Sequence, residues 1–237
     1  MPSAPDEPLA SVAIVDYGLG NLRSVTRGLE RAGAAVEITD DPDAFAAADG
    51  VVLPGVGAFR EGVENAAPIR EELLRVAESD TPLFGICLGM QMLLTTSEEG
   101  TEGDTAVQGL DLIPGTNVRF AEGQKVPHMG WNRLSVSREH PLVDGVDGGG
   151  SELHRADGSS GGSVDGGYAY FVHSYYAVPD DESATVATTD YEIDFSAIVA
   201  DESGTVFGTQ FHPEKSGETG LRILRNFVDL CVDGADR

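Results

Sequence analysis

Three short segments, far apart in the chain, carry residue types that together could build a nucleophilic site. Gly85-Ile86-Cys87-Leu88-Gly89 sets one thiol between two glycines. Apolar Pro82-Leu83-Phe84 leads in, and the helix formers Met90-Gln91-Met92-Leu93-Leu94 lead out, so a buried strand is expected to turn sharply into a helix at Cys87. Such an elbow forces strained angles on the nucleophile, and flanking glycines let the crowded neighbouring backbone pass. It also sets the sulfur at a helix N-terminus, which favours thiolate over thiol. His212-Pro213-Glu214 closes the apolar run Val206 to Phe211, so an imidazole and a carboxylate leave one strand end together. A nucleophilic cysteine needs a base within hydrogen-bond reach and a third group to orient that base. Pro54-Gly55-Val56-Gly57 follows Val51-Val52-Leu53, and a glycine-rich turn after a strand can aim backbone N–H groups at an oxyanion. A lone cysteine is most simply a buried, inert residue. Three such segments in this order favour the reactive reading.

The elements that must hold these segments follow from hydrophobic patterning. Ser11 to Asp16 reads as a buried first strand, and Tyr17-Gly18-Leu19-Gly20-Asn21 turns out of it. Leu22, Val25 and Leu29 then mark a helix that stops near Gly33. The glycines do not complete a dinucleotide fingerprint, because Arg23 stands where its third glycine would be. Val36 to Thr39 and Gly50 to Leu53 read as strands, and Ile69 to Ala77 as a helix. Alternating strands and helices imply an α/β fold with a largely parallel sheet covered on both faces. After about Gly100 the pattern shifts to short strand candidates at 117–120, 125–128 and 133–136. Residues 148–167 collapse into Gly, Ser, Asp and Glu and read as a solvated, mobile insert. Order resumes at 168–173, followed by a hairpin of 195–199 and 205–211 around 202–204 and a final helix over Leu221 to Cys231. Cys231, on its apolar face, is expected in the core. A single domain over 11–233 is expected, with 1–10 as a frayed tail.

Composition bounds the partners. The 237 residues suffice for one large α/β core, and 40 Asp+Glu against 15 Lys+Arg give a formal charge of −25. That balance argues against nucleic acid or an anionic membrane as partner. Lys125 and Lys215 are the two lysines; an acidic, lysine-poor, Ala- and Gly-rich chain resembles proteins of salt-in halophiles. The acidic pairs Asp40-Asp41 and Glu98-Glu99 are expected to repel locally. Two distant cysteines make neither a disulfide framework nor a CxxC site, which fits a reducing, cytoplasmic interior. No run of about 18 apolar residues is present and the start lacks signal-peptide features. His128, His140 and His154 show no ligand spacing and His173 reads as a strand histidine near the pocket, so no metal and no cofactor is expected.

The elbow through Gln91 together with His212-Pro213-Glu214 resembles the class I (triad) glutamine amidotransferases, and within them the glutaminase subunit of imidazole glycerol phosphate synthase. The marks of that subfamily are Asp16 to Asn21, Pro54 to Gly57, Pro127-His128-Met129-Gly130-Trp131-Asn132, Phe171 to Tyr175 and His212 to Ser216. They lie in the family's order; the polar insert departs from its pattern. The resemblance implies the class I amidotransferase fold, with antiparallel strands added in the C-terminal half. It implies hydrolysis of glutamine by Cys87, with His212 as base and acid and Glu214 orienting it. The oxyanion would meet N–H groups of Leu88 and of Gly55-Val56. Gln91, Glu99, Ser174 and Tyr175 match substrate-holding positions. Asn21, Trp131, Tyr170 and Lys215 match positions facing a (β/α)8-barrel cyclase in a heterodimer. Without the motif, Trp131 reads equally as a core aromatic. Three rivals remain open: a glutaminase serving anthranilate, GMP or pyridoxal phosphate synthesis, a cysteine peptidase, and a binding module that has lost catalysis.

Overall fold

A computed structural model describes residues 8–102, 105–146 and 164–235. The chain runs β1 (Ala10–Val15), α1 (Leu22–Ala32), β2 (Ala34–Thr39), α2 (Pro42–Ala47), β3 (Gly50–Gly55), α3 (Phe59–Ala66), α4 (Arg70–Ala77), β4 (Leu83–Cys87) and α5 (Leu88–Leu93). It continues through β5 (Leu94–Glu102), β6 (Thr105–Gln108), β7 (Ile113–Arg119), β8 (His128–Val136), β9 (Val164–His173) and β10 (Tyr175–Pro179). Then follow β11 (Thr185–Asp190), β12 (Asp194–Ala200), β13 (Val206–Thr209) and α6 (Gly217–Ala235).

One mixed sheet runs in the order β2-β1-β3-β4-β13-β12-β10-β7-β5-β6, and β11, β8 and β9 branch from β12 as a second ribbon. The first five strands of that order are parallel, and their apolar runs leave β3 and β4 buried throughout. Helices α1 and α6 cover one face of the sheet through Val25, Leu29, Leu224 and Phe227. The other face is covered by α2 to α5 through Phe45, Phe59, Leu73 and Leu88. Helix α1 ends where expected: Gly33 takes a left-handed φ of 109° and its N–H bonds back to the last turn. Cys231 is fully buried on α6. No helix among the described residues is long and apolar enough to cross a membrane.

Several expectations need correction. Residues 125–127 are not strand; 128 and 133–136 belong to one long strand, β8, paired with β9 from His128↔His173 to Val136↔Val164. Of the polar insert, 148–163 lie outside the described residues, but Val164 to Gly167 are the start of β9. Close approach explains the glycines there: a Cβ on Gly167 would sit 2.0 Å from Thr219 Oγ1, and one on Gly166 would sit 2.8 Å from Leu134 O. Most of the expected tail lies outside the described residues, and Ala10 already pairs with Ala34 in the sheet. The acidic pairs are employed rather than merely repelling. Asp41 caps α2 by accepting from Asp43 N, while Glu98 and Glu99 accept from Arg119 N and Phe59 N.

Candidate active site

The carboxyl ends of adjacent parallel strands meet where β3 and β4 pair Gly55 with Cys87. Cys87 takes φ 55° and ψ −108°, a strained region for a side-chain-bearing residue. The strain is held by packing. A Cβ on Gly89 would lie 1.8 Å from Leu53 O, and one on Gly85 would lie 2.7 Å from Met90 N. A Cβ on Gly55 would collide with the Tyr17 hydroxyl and Leu88. The elbow can turn this tightly because the strand beside it has no side chain in the way.

Three residues past β13, His212 opens a short 3-10 turn over Pro213–Lys215. Its backbone N donates to Tyr170 O at 3.0 Å, and Ser216 Oγ donates to His212 O at 2.6 Å. Tyr170 N in turn donates to Ser216 Oγ at 2.9 Å, so β9 clamps the turn at both ends. The ring is thereby aimed at Cys87, to which it is hydrogen-bonded, while its Nδ1 lies 3.0 Å from Glu214 Oε1. Burial alone would push the His212 pKa down; hydrogen bonds and charge from Cys87 and Glu214 overcome it and hold the pKa up at about 9. The ring therefore rests protonated near neutral pH, as an imidazolium between a sulfur and a carboxylate. The Glu214 side chain is fully buried, with Lys215 Nζ 4.0 Å from the same Oε1.

Val56, Cys87, Leu88, Gln91, Glu99, Ser174, Tyr175, His212 and Lys215 line a pocket of about 300 Å³. Gly55 and Glu214 are outside the lining, next to Val56 and hydrogen-bonded to His212 respectively. Gln91 Nε2 donates to Tyr175 O at 2.9 Å. Glu99 spends one carboxylate oxygen on Phe59 N, the first amide of α3, at 2.7 Å. Asn21, Trp131 and Tyr170 are outside the lining. Trp131 is 56% exposed and meets Tyr170 edge to face at 5.9 Å, so it is not a core aromatic. Met129 (63% exposed) and Tyr168 (57%) extend the same exposed apolar face of the β8–β9 ribbon.

The sequence places His173 near the pocket without a role, marks Pro127 and Val172 only as part of subfamily segments, and assigns nothing to Gln210. His173 lines the pocket and bonds two ways, Nδ1 to Tyr175 O at 2.8 Å and Nε2 to His128 Nδ1 at 3.1 Å. Gln210 is wholly buried beside Cys87. A lone amide inside the apolar run 206–211 was the available signal, since a buried amide needs partners.

Residues 13–231 match the family profile of the class-I glutamine amidotransferases. The imidazole glycerol phosphate synthase subunit HisH of Haloarcula marismortui is 72% identical over 225 residues, covering 94% of this chain and 97% of that protein. The HisH subunit of Natronomonas pharaonis is 66% identical, covering 94% and 96%. Among solved structures, PurLQS from Thermotoga maritima superposes with a TM-score of 0.65 at 21% identity, covering 94% of this chain and 98% of that one. A glutamine amidotransferase superposes with a TM-score of 0.63, also at 21% identity, covering 92% and 98%. This chain belongs to the class-I glutamine amidotransferase family, in the branch of the imidazole glycerol phosphate synthase HisH subunits.

Proposed function

We propose that the chain hydrolyses glutamine to glutamate and ammonia with Cys87, His212 and Glu214, and passes the ammonia to a (β/α)8-barrel cyclase subunit. The cyclase uses it to make imidazole glycerol phosphate and AICAR in histidine biosynthesis. The observation that carries this reading is the line Cys87–His212–Glu214, with Cys87 and His212 lining a pocket, in a chain 72% identical to a HisH subunit. Glutamine enters with its α-amino and carboxylate groups toward Gln91, Glu99 and the Ser174-Tyr175 backbone. The sulfur attacks the side-chain amide carbon, and the oxyanion meets N–H groups of Leu88 and of Gly55-Val56. His212, already protonated, gives its proton to the departing ammonia, and the C–N bond breaks to leave a thioester. Now neutral, His212 takes a proton from the water that cleaves the C–S bond. Glu214 stabilises the charged ring before and after.

The exposed face of Met129, Trp131 and Tyr168, with Tyr170 against Trp131, is the surface we assign to the cyclase, together with Asn21 and Lys215. The setting is a cytoplasm of molar salt, consistent with the chain's acidity and its haloarchaeal relatives. One domain over 11–233 carries the activity. Cys87→Ala is expected to lower glutamine-driven product at least about a thousandfold. The variant complex should still make product from ammonium, because ammonium bypasses the thiol. Glutamine-driven product at an appreciable rate from this variant would refute the nucleophile; failure with ammonium as well would refute the cyclase partnership.

A further inference from the structure

The sulfur of Cys87 has polar neighbours beyond the imidazole. Val172 O lies 3.8 Å from Sγ, and Nε2 of Gln210 lies 3.9 Å from it. A carbonyl can only accept, so Val172 favours the S–H form. An amide N–H can only donate, so Gln210 favours the thiolate, a far better acceptor than a thiol.

Which end of the Gln210 amide faces the sulfur is decided elsewhere in the pocket wall. Gln91 Nε2 lies 2.9 Å from Tyr175 O and 3.2 Å from Gln210 Oε1. Tyr175 O is an acceptor, so Gln91 must offer it the NH₂ end. The second hydrogen of that group then falls to Gln210, which must present its oxygen to Gln91 and its NH₂ to Cys87. Both residues are anchored. Asn117 Nδ2 donates to Gln91 O at 2.9 Å, and Gln210 N donates to Ala197 O at 2.9 Å. Gln210 is 0% exposed, where an apolar residue would cost less to bury.

We propose that Gln210 is a further functional residue of the site. Its Nε2–H is a donor held on the Cys87 sulfur to stabilise the thiolate, in a direction dictated by the relay Tyr175 O–Gln91–Gln210. It acts twice per turnover: on the thiolate before the S–C bond forms, and on the electron pair that returns to sulfur when water breaks the thioester. The consequence for turnover rests on the glutaminase reading above; the effect on the sulfur does not. Other groups facing the sulfur are His212 backed by Glu214, Tyr17 after β1 and His173 on β9, with Glu99 and Lys215 across the pocket. Burial and Cys87 hold the Tyr17 hydroxyl protonated, so it adds no charge near neutrality.

The test is alkylation of Cys87 by iodoacetamide across pH in the full chain, followed by mass spectrometry of the Cys87 peptide. No glutamine is present. Gln210→Met keeps the bulk and removes the donor. Its alkylation midpoint is expected to rise by about one pH unit, with a roughly tenfold slower reaction on the acidic side. With glutamine, kcat should fall while KM changes little. A folded Gln210→Met chain with the wild-type midpoint would overturn the proposal. If that variant does not fold, Gln210→Asn, whose shorter amide cannot span from Gln91 to Sγ, is measured against the same criterion. A shifted midpoint with no glutaminase activity in the wild type would sink the glutaminase reading and leave this one standing.

Discussion

The two walls of the pocket treat a buried histidine in opposite ways. On the elbow side, His212 sits between Cys87 and Glu214 and is held charged, with its pKa raised from 6.5 to about 9. On the ribbon side, burial lowers His173 to about 3, and the charge of His212 adds to that effect; burial lowers His128 to about 4. Both rings are buried. The difference lies in the partners: His212 has the Cys87 sulfur and the Glu214 carboxylate, whereas His173 has a carbonyl and another imidazole. Burial by itself neutralises a histidine, and a buried counter-charge reverses the sign. The walls differ in packing too. The elbow is shaped by backbone contacts with no room for a single methyl group, while the ribbon alternates buried His128, Leu134, Ala169 and Phe171 with exposed Met129, Trp131 and Tyr168. One wall performs chemistry in a fixed frame, and the other is a strand pair with one face left open.

The strongest way to break this contrast is Gly89→Ala. The added carbon would lie 1.8 Å from the carbonyl oxygen of Leu53, which belongs to the central strand β3 and has no flexible end to move. Overpacking against backbone costs at least about 3 kcal/mol, more than the usual 1–3 kcal/mol for an overfilled core. Loss of soluble folded protein, or a drop in melting temperature of at least about 6 °C, is expected. A variant melting like wild type would show that the elbow is not set by this contact.

The elbow was legible in sequence because its cause is local: glycines two residues either side of a cysteine, between a strand run and a helix run. The His212–Glu214 pair was legible for the same reason. The ribbon was not. Its glycines at 166 and 167 fell in a stretch whose composition reads as loop, and only the approach of Leu134 and Thr219 from distant parts of the chain explains them. Strands β10 and β11 and helices α2 and α3 were missed as well. Helices α2 and α3 and strand β11 carry few large apolar residues, and the apolar β10 is fixed only by pairing with the distant β7 and β12. Glu99 shows the limit at a single residue. Resemblance alone carried it into the pocket, and nothing near it in sequence reveals that it also holds the first amide of α3.

The histidine contrast is sharpened by titration. His212 has a folded pKa of about 9 against 6.5 unfolded, so its stabilising effect is complete below pH 6.5 and is lost as pH rises to about 9. His128 and His140 are lowered to about 4 and His173 to about 3, so theirs is complete above pH 6.5 and lost as pH falls through those values. The NMR signals of His128, His140, His173 and His212 should separate accordingly, with His212 alone of these four titrating in the alkaline range. Glu214→Gln removes the counter-charge and should bring the His212 titration down by about one unit or more. A common midpoint near 6.5 for all of them would erase the distinction between the walls.

The smallest effect on the chain itself belongs to the open face. Trp131 stands on β8 opposite Tyr170 and is more than half exposed, so its removal uncovers little apolar surface. At about 25 cal/mol per Å², losing an edge contact and part of one ring costs the isolated fold no more than about 1 kcal/mol. Trp131→Ala should therefore keep its melting temperature within a few degrees of wild type and leave Cys87 alkylation unchanged. Docking is another matter. A large, half-exposed aromatic flanked by exposed Met129 and Tyr168 has the features of an interface anchor, and truncating such a residue typically costs about 2 kcal/mol of binding. Titration calorimetry with the cyclase subunit should show affinity weakened by roughly thirtyfold. Full affinity, or a melting temperature that falls as far as for Gly89→Ala, would mean that the exposed ring supports the fold rather than a partner.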